Sequence, residues 1–198
     1  MYQYLSKKIT NYVILSNLAQ EKYRPLYEYG FEGILSIALN TLLVLFTGIF
    51  LNMELEMLVY MAFYVILRRK AGGAHRNLHW KCITTYLLLA VVSIKSITAM
   101  TNSFPSYSIM AITWLVCLII SGLFVFILAP IDSKNKRLEA MQRIKLRFES
   151  RVVIVVEIII ILLLITVKSN QSIINSAVAG VLVESILLLP IFNRDSSN

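Results

Sequence analysis

Two stretches of this chain, 33–51 and 109–131, carry no charged side chain from end to end. In hydrocarbon every backbone N–H and C=O must be paired within its own segment, and about 20 apolar residues of helix cross a bilayer core. Four further apolar runs follow less cleanly. These are 57–67, preceded by Glu54 and Glu56; 83–100, interrupted by Lys95; 152–167, carrying Glu157; and 173–192, carrying Glu184 and ending near Pro190. Composition points the same way, with 58% hydrophobic residues, 15% charged residues and a mean hydropathy of +0.72. An ordinary soluble domain is about 25% charged. Seven Gly and four Pro do not support a loop-rich β fold, and two cysteines make no disulfide framework. The expectation is an all-α polytopic membrane protein of about six spans, forming one membrane-embedded domain over residues 1–198.

The placement of Lys and Arg supports that count. With both termini inside and six crossings, every one of the 19 bases except Lys95 and Lys168 falls in an inside segment. The expected outside links, 52–56 and 101–108, hold none. The net charge of +8 would suggest nucleic acid in a soluble protein. Here the bases form short blocks between apolar runs, so they read as topology signals and no nucleic-acid partner is expected.

Lys7 and Lys8 could open a signal peptide, but Asn11, Ser16, Asn17 and Gln20 break up the apolar core it would need. Leu5, Ile9, Tyr12 and Val13 recur instead at helical spacing, so residues 1–32 read as an interfacial segment at the inner face. The basic segment 132–151 places Leu138, Met141, Ile144 and Phe148 at steps of three and four. It is expected to form a second amphipathic helix on the same surface.

Reactive side chains concentrate in 68–82, Arg-Arg-Lys-Ala-Gly-Gly-Ala-His-Arg-Asn-Leu-His-Trp-Lys-Cys. This segment joins the second and third spans on the side where thiols stay reduced. A free cysteine is only slightly ionised at neutral pH, and neighbouring bases and an imidazole favour its thiolate. The pair Gly72-Gly73 suits a tight turn. On one unbroken helix His75 and Cys82 would be separated by about 10.5 Å of rise. A base at His75 therefore requires the chain to bend, whereas His79 lies beside Cys82 without any bend. The plainer alternative is that the bases only orient the loop and Cys82 is a small apolar helix residue. No metal site is expected, because the outer members of the His75, His79, Cys82 set lie too far apart. Cys117, in the middle of an uncharged run, reads as packing.

The run Arg-Arg-Lys-Ala-Gly-Gly-Ala-His, with Cys82 seven positions after the histidine, resembles the signature of the accessory gene regulator B (AgrB) family. These are integral-membrane cysteine endopeptidases of Gram-positive quorum sensing. Chain length, span count, Ala129-Pro130 and the basic segment after it resemble the family as well. The resemblance implies Cys82 as nucleophile, His75 as general base in preference to His79, and a supporting role for Arg69 or another base of that run.

It also implies a substrate, an AgrD-like precursor peptide whose C-terminal tail is removed through a thioester before the remainder closes to a thiolactone or lactone. Lys134, Lys136 and Arg137 would dock the acidic tail of such a precursor. Glu157 and Glu184 are costly inside a membrane and would orient the imidazole or hold the peptide, or else bond between helices. The resemblance implies no cofactor, a homodimer, and a place in the plasma membrane of a Gram-positive bacterium. A small peptide exporter using Glu157, Glu184 and Lys95 as its path, with no need of Cys82, is the alternative.

Overall fold

The computed structural model describes residues 2–16, 18–72, 79–104, 106–131 and 140–190; of residues 2, 3, 36, 37 and 79–83 it describes the backbone alone. Seven helices account for nearly all of these: α1 (Tyr2–Leu15), α2 (Arg24–Leu51), α3 (Glu54–Ala71), α4 (His79–Asn102), α5 (Tyr107–Leu128), α6 (Ala140–Thr166) and α7 (Gln171–Leu187). Among the described residues there is no strand, only one isolated β-bridge between Gly72 and Ile131. Among the described residues three stretches are helical, long and apolar enough to cross a membrane: Glu21–Leu51, Thr84–Asn102 and Tyr107–Leu128.

The chain packs as two units, Met1–Phe46 and Thr47–Asn198. In the first, α1 turns Ser6 and Thr10 inward and leaves Tyr4, Tyr12 and Leu15 exposed along with Lys7 and Lys8. A 3-10 turn, Glu21–Tyr23, leads into α2, where Arg24 pairs with Glu21 at 2.6 Å and also bonds Asn11.

The second unit is a helical bundle organised around α7. Ten of the seventeen residues of α7 are buried, an unbroken block from Ile174 to Val181 among them. A helix apolar on all sides belongs at a centre, and α3, α4, α5 and α6 all pack on it. Its neighbours each contribute one stripe at steps of three and four. On α5 this is Met110, Trp114, Leu118, Ser121 and Val125. On α6 it is Ser150, Ile154, Glu157, Ile161 and Ile165. Gly180 permits the closest approach: a Cβ there would stand 2.8 Å from the Tyr60 carbonyl oxygen and 3.2 Å from the Phe63 Cβ of α3. Small residues at helix crossings serve the same purpose in membrane bundles generally.

Within the second unit the ends of α3 and α7 meet at Arg68 and Glu184, while the ends of α4 and α6 meet the starts of α7 and α5 at Thr101–Asn175 and Ile165–Tyr107. The tight turn after α2, where the Met53 N–H donates to the Gly48 carbonyl at 2.8 Å, starts α3 with Glu54 and Glu56, and α3 ends with Arg68, Arg69 and Lys70. Acids at the start and bases at the end complement the helix dipole. At the far end of the bundle, Asn175 of α7 accepts from Trp114 Nε1 at 2.9 Å and donates to Thr101 Oγ1 at 3.1 Å. Tyr107 donates there to the Ile165 carbonyl at 2.7 Å.

One sequence expectation is corrected. The basic segment and the fifth apolar run are not a surface helix followed by a span, because α6 runs unbroken from Ala140 to Thr166. Nothing in 149–152, Glu-Ser-Arg-Val, breaks a helix, so the charged half propagates directly into the apolar half. Met141, Ile144 and Phe148 do share an exposed face; Leu138 lies outside the described residues.

Candidate functional site

The basic end of the bundle gathers the ends of four helices. The periodicity of α3 buries Met57, Tyr60, Tyr64, Leu67 and Ala71 on one face. Arg68, one turn beyond Tyr64, is carried inward beside that face, whereas Arg69 is exposed. Nη1 of Arg68 donates to Oε2 of Glu184 on α7 at 3.0 Å, with the glutamate side chain fully buried. The Tyr64 side chain bonds the same carboxyl group, and the Arg68 guanidinium lies 5.7 Å from the Tyr64 ring centre. Tyr60, Tyr64 and Tyr86 pack as a cluster, with ring centres 4.9 Å apart for Tyr64 and Tyr86. Glu157 of α6 is buried within electrostatic reach of Glu184. Among the described residues neither Glu157 oxygen has a hydrogen-bond partner, and Oε1 of Glu184 has none.

Nearer the surface, Lys70 donates to Oε2 of Glu149 at 2.9 Å. That bond, with the Lys70 and Lys145 charges, holds the Glu149 carboxyl below the usual range against a smaller opposing effect of burial. Arg151 donates to the Phe126 carbonyl at 3.0 Å and lies over the Phe126 ring.

The end of α3 is fixed by backbone contacts. The Gly72 N–H donates to the Arg68 carbonyl, and the Ile131 N–H donates to the Ala71 carbonyl, both at 3.0 Å. Gly72 has φ 78° and ψ −152°, a region open essentially to glycine alone. A Cβ there would stand 2.5 Å from the Ile131 carbonyl oxygen. The first glycine of the Gly-Gly pair is thus demanded twice, by its backbone angles and by the chain lying against it.

The candidate residues divide accordingly. His75, Gly73, Lys134, Lys136 and Arg137 lie outside the described residues, while His79 and Cys82 are placed by their backbone on α4. Glu157, Glu184, Gly72 and Arg69 are described. Of these, only the two carboxylates come together. The resemblance implies a supporting role for Arg69 or another base of that run, and it is Arg68 that makes the buried ion pair. The signal was available in the helical register, since Arg68 follows Tyr64 by one turn. Among the described residues no group of three or more His, Cys, Asp and Glu is arranged to hold a metal ion.

Comparison with known proteins bears on the whole of this arrangement. The model of the family described as accessory gene regulator B matches residues 6–188. An AgrB-like protein of Clostridium perfringens (strain SM101 / Type A) is 26% identical over 148 residues, covering 73% of this chain and 68% of that protein. AgrB-like protein 2 of Clostridium perfringens (strain 13 / Type A) is 23% identical over 145 residues, with coverages of 73% and 68%. No solved structure matches the chain. The family match takes in the bundle, the pinned Gly72 turn and the His75 to Cys82 segment together, and the chain belongs to the accessory gene regulator B family.

Proposed function

We propose that this protein is a membrane cysteine endopeptidase of quorum sensing, which removes the C-terminal tail of an AgrD-like precursor peptide and promotes cyclisation of the remainder. The observation that carries the reading is the Gly72-Gly73-Ala74-His75 run with Cys82 seven residues after the histidine, inside the stretch matched by the family.

In this mechanism His75 takes the Cys82 proton and the thiolate attacks the scissile carbonyl. The C–N bond breaks, His75 protonates the leaving amine, and the acyl group remains on Cys82 as a thioester. A thiol or hydroxyl of the peptide then attacks that thioester. The ring closes as a thiolactone or lactone, and Cys82 regains its proton. A site at the membrane boundary excludes part of the competing water. Arg68, anchored on Glu184, and Gly72, anchored on Ile131, hold the end of α3 from which the catalytic segment departs. Arg69, exposed on the same turn, and Lys134, Lys136 and Arg137 are left to contact the acidic part of the precursor.

The topology that goes with this reading has six spans, contributed by α2 to α7, in a bacterial plasma membrane. Both termini and the basic end of the bundle face the cytoplasm, the arrangement that collects nearly all Lys and Arg on one side. The protein acts as a single membrane-embedded domain, as a homodimer.

The test is incubation of the purified protein with a precursor peptide. Wild type releases the tail and accumulates an acyl group on Cys82. Cys82→Ala and His75→Ala insert normally and release none. Tail release by Cys82→Ala at the wild-type rate would refute the assignment.

A further inference from the structure

The uncharged helix α5 has 22 residues and is about 33 Å long, which matches a hydrocarbon core of about 30 Å. Its two ends therefore mark the two edges of that core. α6 runs antiparallel beside it. Tyr107, the first residue of α5, donates to the Ile165 carbonyl. At the other end, Nη2 of Arg151 donates to the carbonyl of Phe126, two residues before α5 stops, at 3.0 Å. Arg151 is thereby held at one edge of the hydrocarbon, with its guanidinium 5.3 Å from the Phe126 ring centre.

From that level the charged half of α6 continues past the end of α5. Arg147 follows one turn, about 6 Å, farther out on the same side of the helix. A headgroup layer is about 5–7 Å deep, so the two arginines bracket it. Arg147 is exposed, and among the described residues neither arginine pairs with a carboxylate. Glu149, on the opposite side of the helix, is taken by Lys70. Like charges four residues apart repel, and the guanidinium fork fits the oxygens of a phosphate. On the hydrocarbon side of Arg151 the exposed neighbours are apolar: Val152 and Val155 of α6, Leu123 and Phe126 of α5. A soluble acidic segment would supply charge to the arginines but would not cover those side chains. A lipid does both. A zwitterionic headgroup brings an ammonium of its own towards the arginines, so an anionic one is the better match.

We propose that Arg147 and Arg151 hold the phosphate of one anionic phospholipid, whose acyl chains lie along Val155 of α6 and Leu123 and Phe126 of α5. The proposal rests on α5 crossing the bilayer. It does not rest on the peptidase reading, and its test needs no precursor peptide.

The protein is purified in detergent, stripped of lipid and titrated with phosphatidylglycerol or phosphatidylcholine under native mass spectrometry. Wild type retains one phosphatidylglycerol in preference to phosphatidylcholine. Arg147→Gln weakens that retention about fivefold, the effect of one base at a membrane surface. Arg151→Gln weakens it at least as much but also gives up the Phe126 bond, so the exposed Arg147 decides. Lys168→Gln, just past the other end of α6, removes the same charge and keeps the retention. Equal retention of the two lipids, undiminished retention in Arg147→Gln, or an equal loss in Lys168→Gln overturns the proposal. So does displacement of the lipid by millimolar inorganic phosphate, which would make the arginines a site for free anions. Displacement by an oligoglutamate peptide overturns it too, by giving the arginines to an acidic segment.

Discussion

Nη1 of Arg68 and Oε2 of Glu184, 116 positions apart in the chain, meet at 3.0 Å in the interior of the bundle. The contact ties the last turn of α3 to the central helix. Removing one partner of a buried pair typically costs about 3–5 kcal/mol, because the other charge is left uncompensated, whereas replacing both with apolar residues is often tolerated. Arg68→Leu is therefore expected to lower Tm strongly, and the double variant Arg68→Leu/Glu184→Leu less so. Thermal unfolding in detergent distinguishes the two. Equal losses in both would mean that the pair itself contributes little.

At Gly72 the expectation concerns activity more than insertion. Forcing an L-residue into this backbone region costs about 1–3 kcal/mol, and the added carbon meets the Ile131 carbonyl oxygen at 2.5 Å. On the proposed peptidase reading, Gly72→Ala should shift the start of the segment that carries His75 and lower tail release well below wild type while the protein still reaches the membrane. Full processing activity would show that the turn does not position the site.

Gly180→Ala places a carbon 2.8 Å from the Tyr60 carbonyl oxygen, which is backbone and cannot swing aside. Overpacking of this kind costs about 1–3 kcal/mol. The variant should unfold at lower temperature than wild type. An unchanged Tm would mean that α3 and α7 can separate without loss.

Asn175 joins three helices by accepting from Trp114 and donating to Thr101. Asn175→Ala strands a buried indole N–H, at about 1–3 kcal/mol. Trp114→Phe in the same background should then add less than it does alone, a coupling of about 0.5–3 kcal/mol in a double-mutant cycle. Strictly additive losses would rule the coupling out.

The Lys70–Glu149 pair sets an acid limit. Glu149 is held below its ordinary value when folded, chiefly by the Lys70 hydrogen bond. Its contribution is present above the unfolded carboxylate value of about 4.3 and is lost as pH falls through the lower folded value. Wild type should lose Tm over that acid range by slightly more than Glu149→Gln, as the pair is partly exposed. Parallel curves would discount it.

The helices were legible in the sequence because hydrocarbon length and charge exclusion leave few alternatives. The uncharged run 109–131 became α5, Tyr107–Leu128, and even the weak run 57–67 became α3, whose flanking acids and bases suit a helix dipole. The continuity of α6 was not legible. A change from basic to apolar composition looks like a boundary, although nothing in 149–152 stops the helix. Partners across the bundle were also beyond reach. Helical register alone could have put Arg68 beside Tyr64, but Glu184 as its counter-ion depends on how α7 is threaded among the others. Gly72 was legible as a turn; its contact with Ile131, 59 residues later, was not.

The uninterrupted course of α6 has a mechanical result. Twenty-seven residues of helix make a rod about 40 Å long, held near its middle where Arg151 grips the end of α5. Arg147 on the charged half and Glu157 on the apolar half therefore sit on one unbroken rod, and the stripe from Ser150 to Ile165 keys that rod into the bundle along the rest of its length.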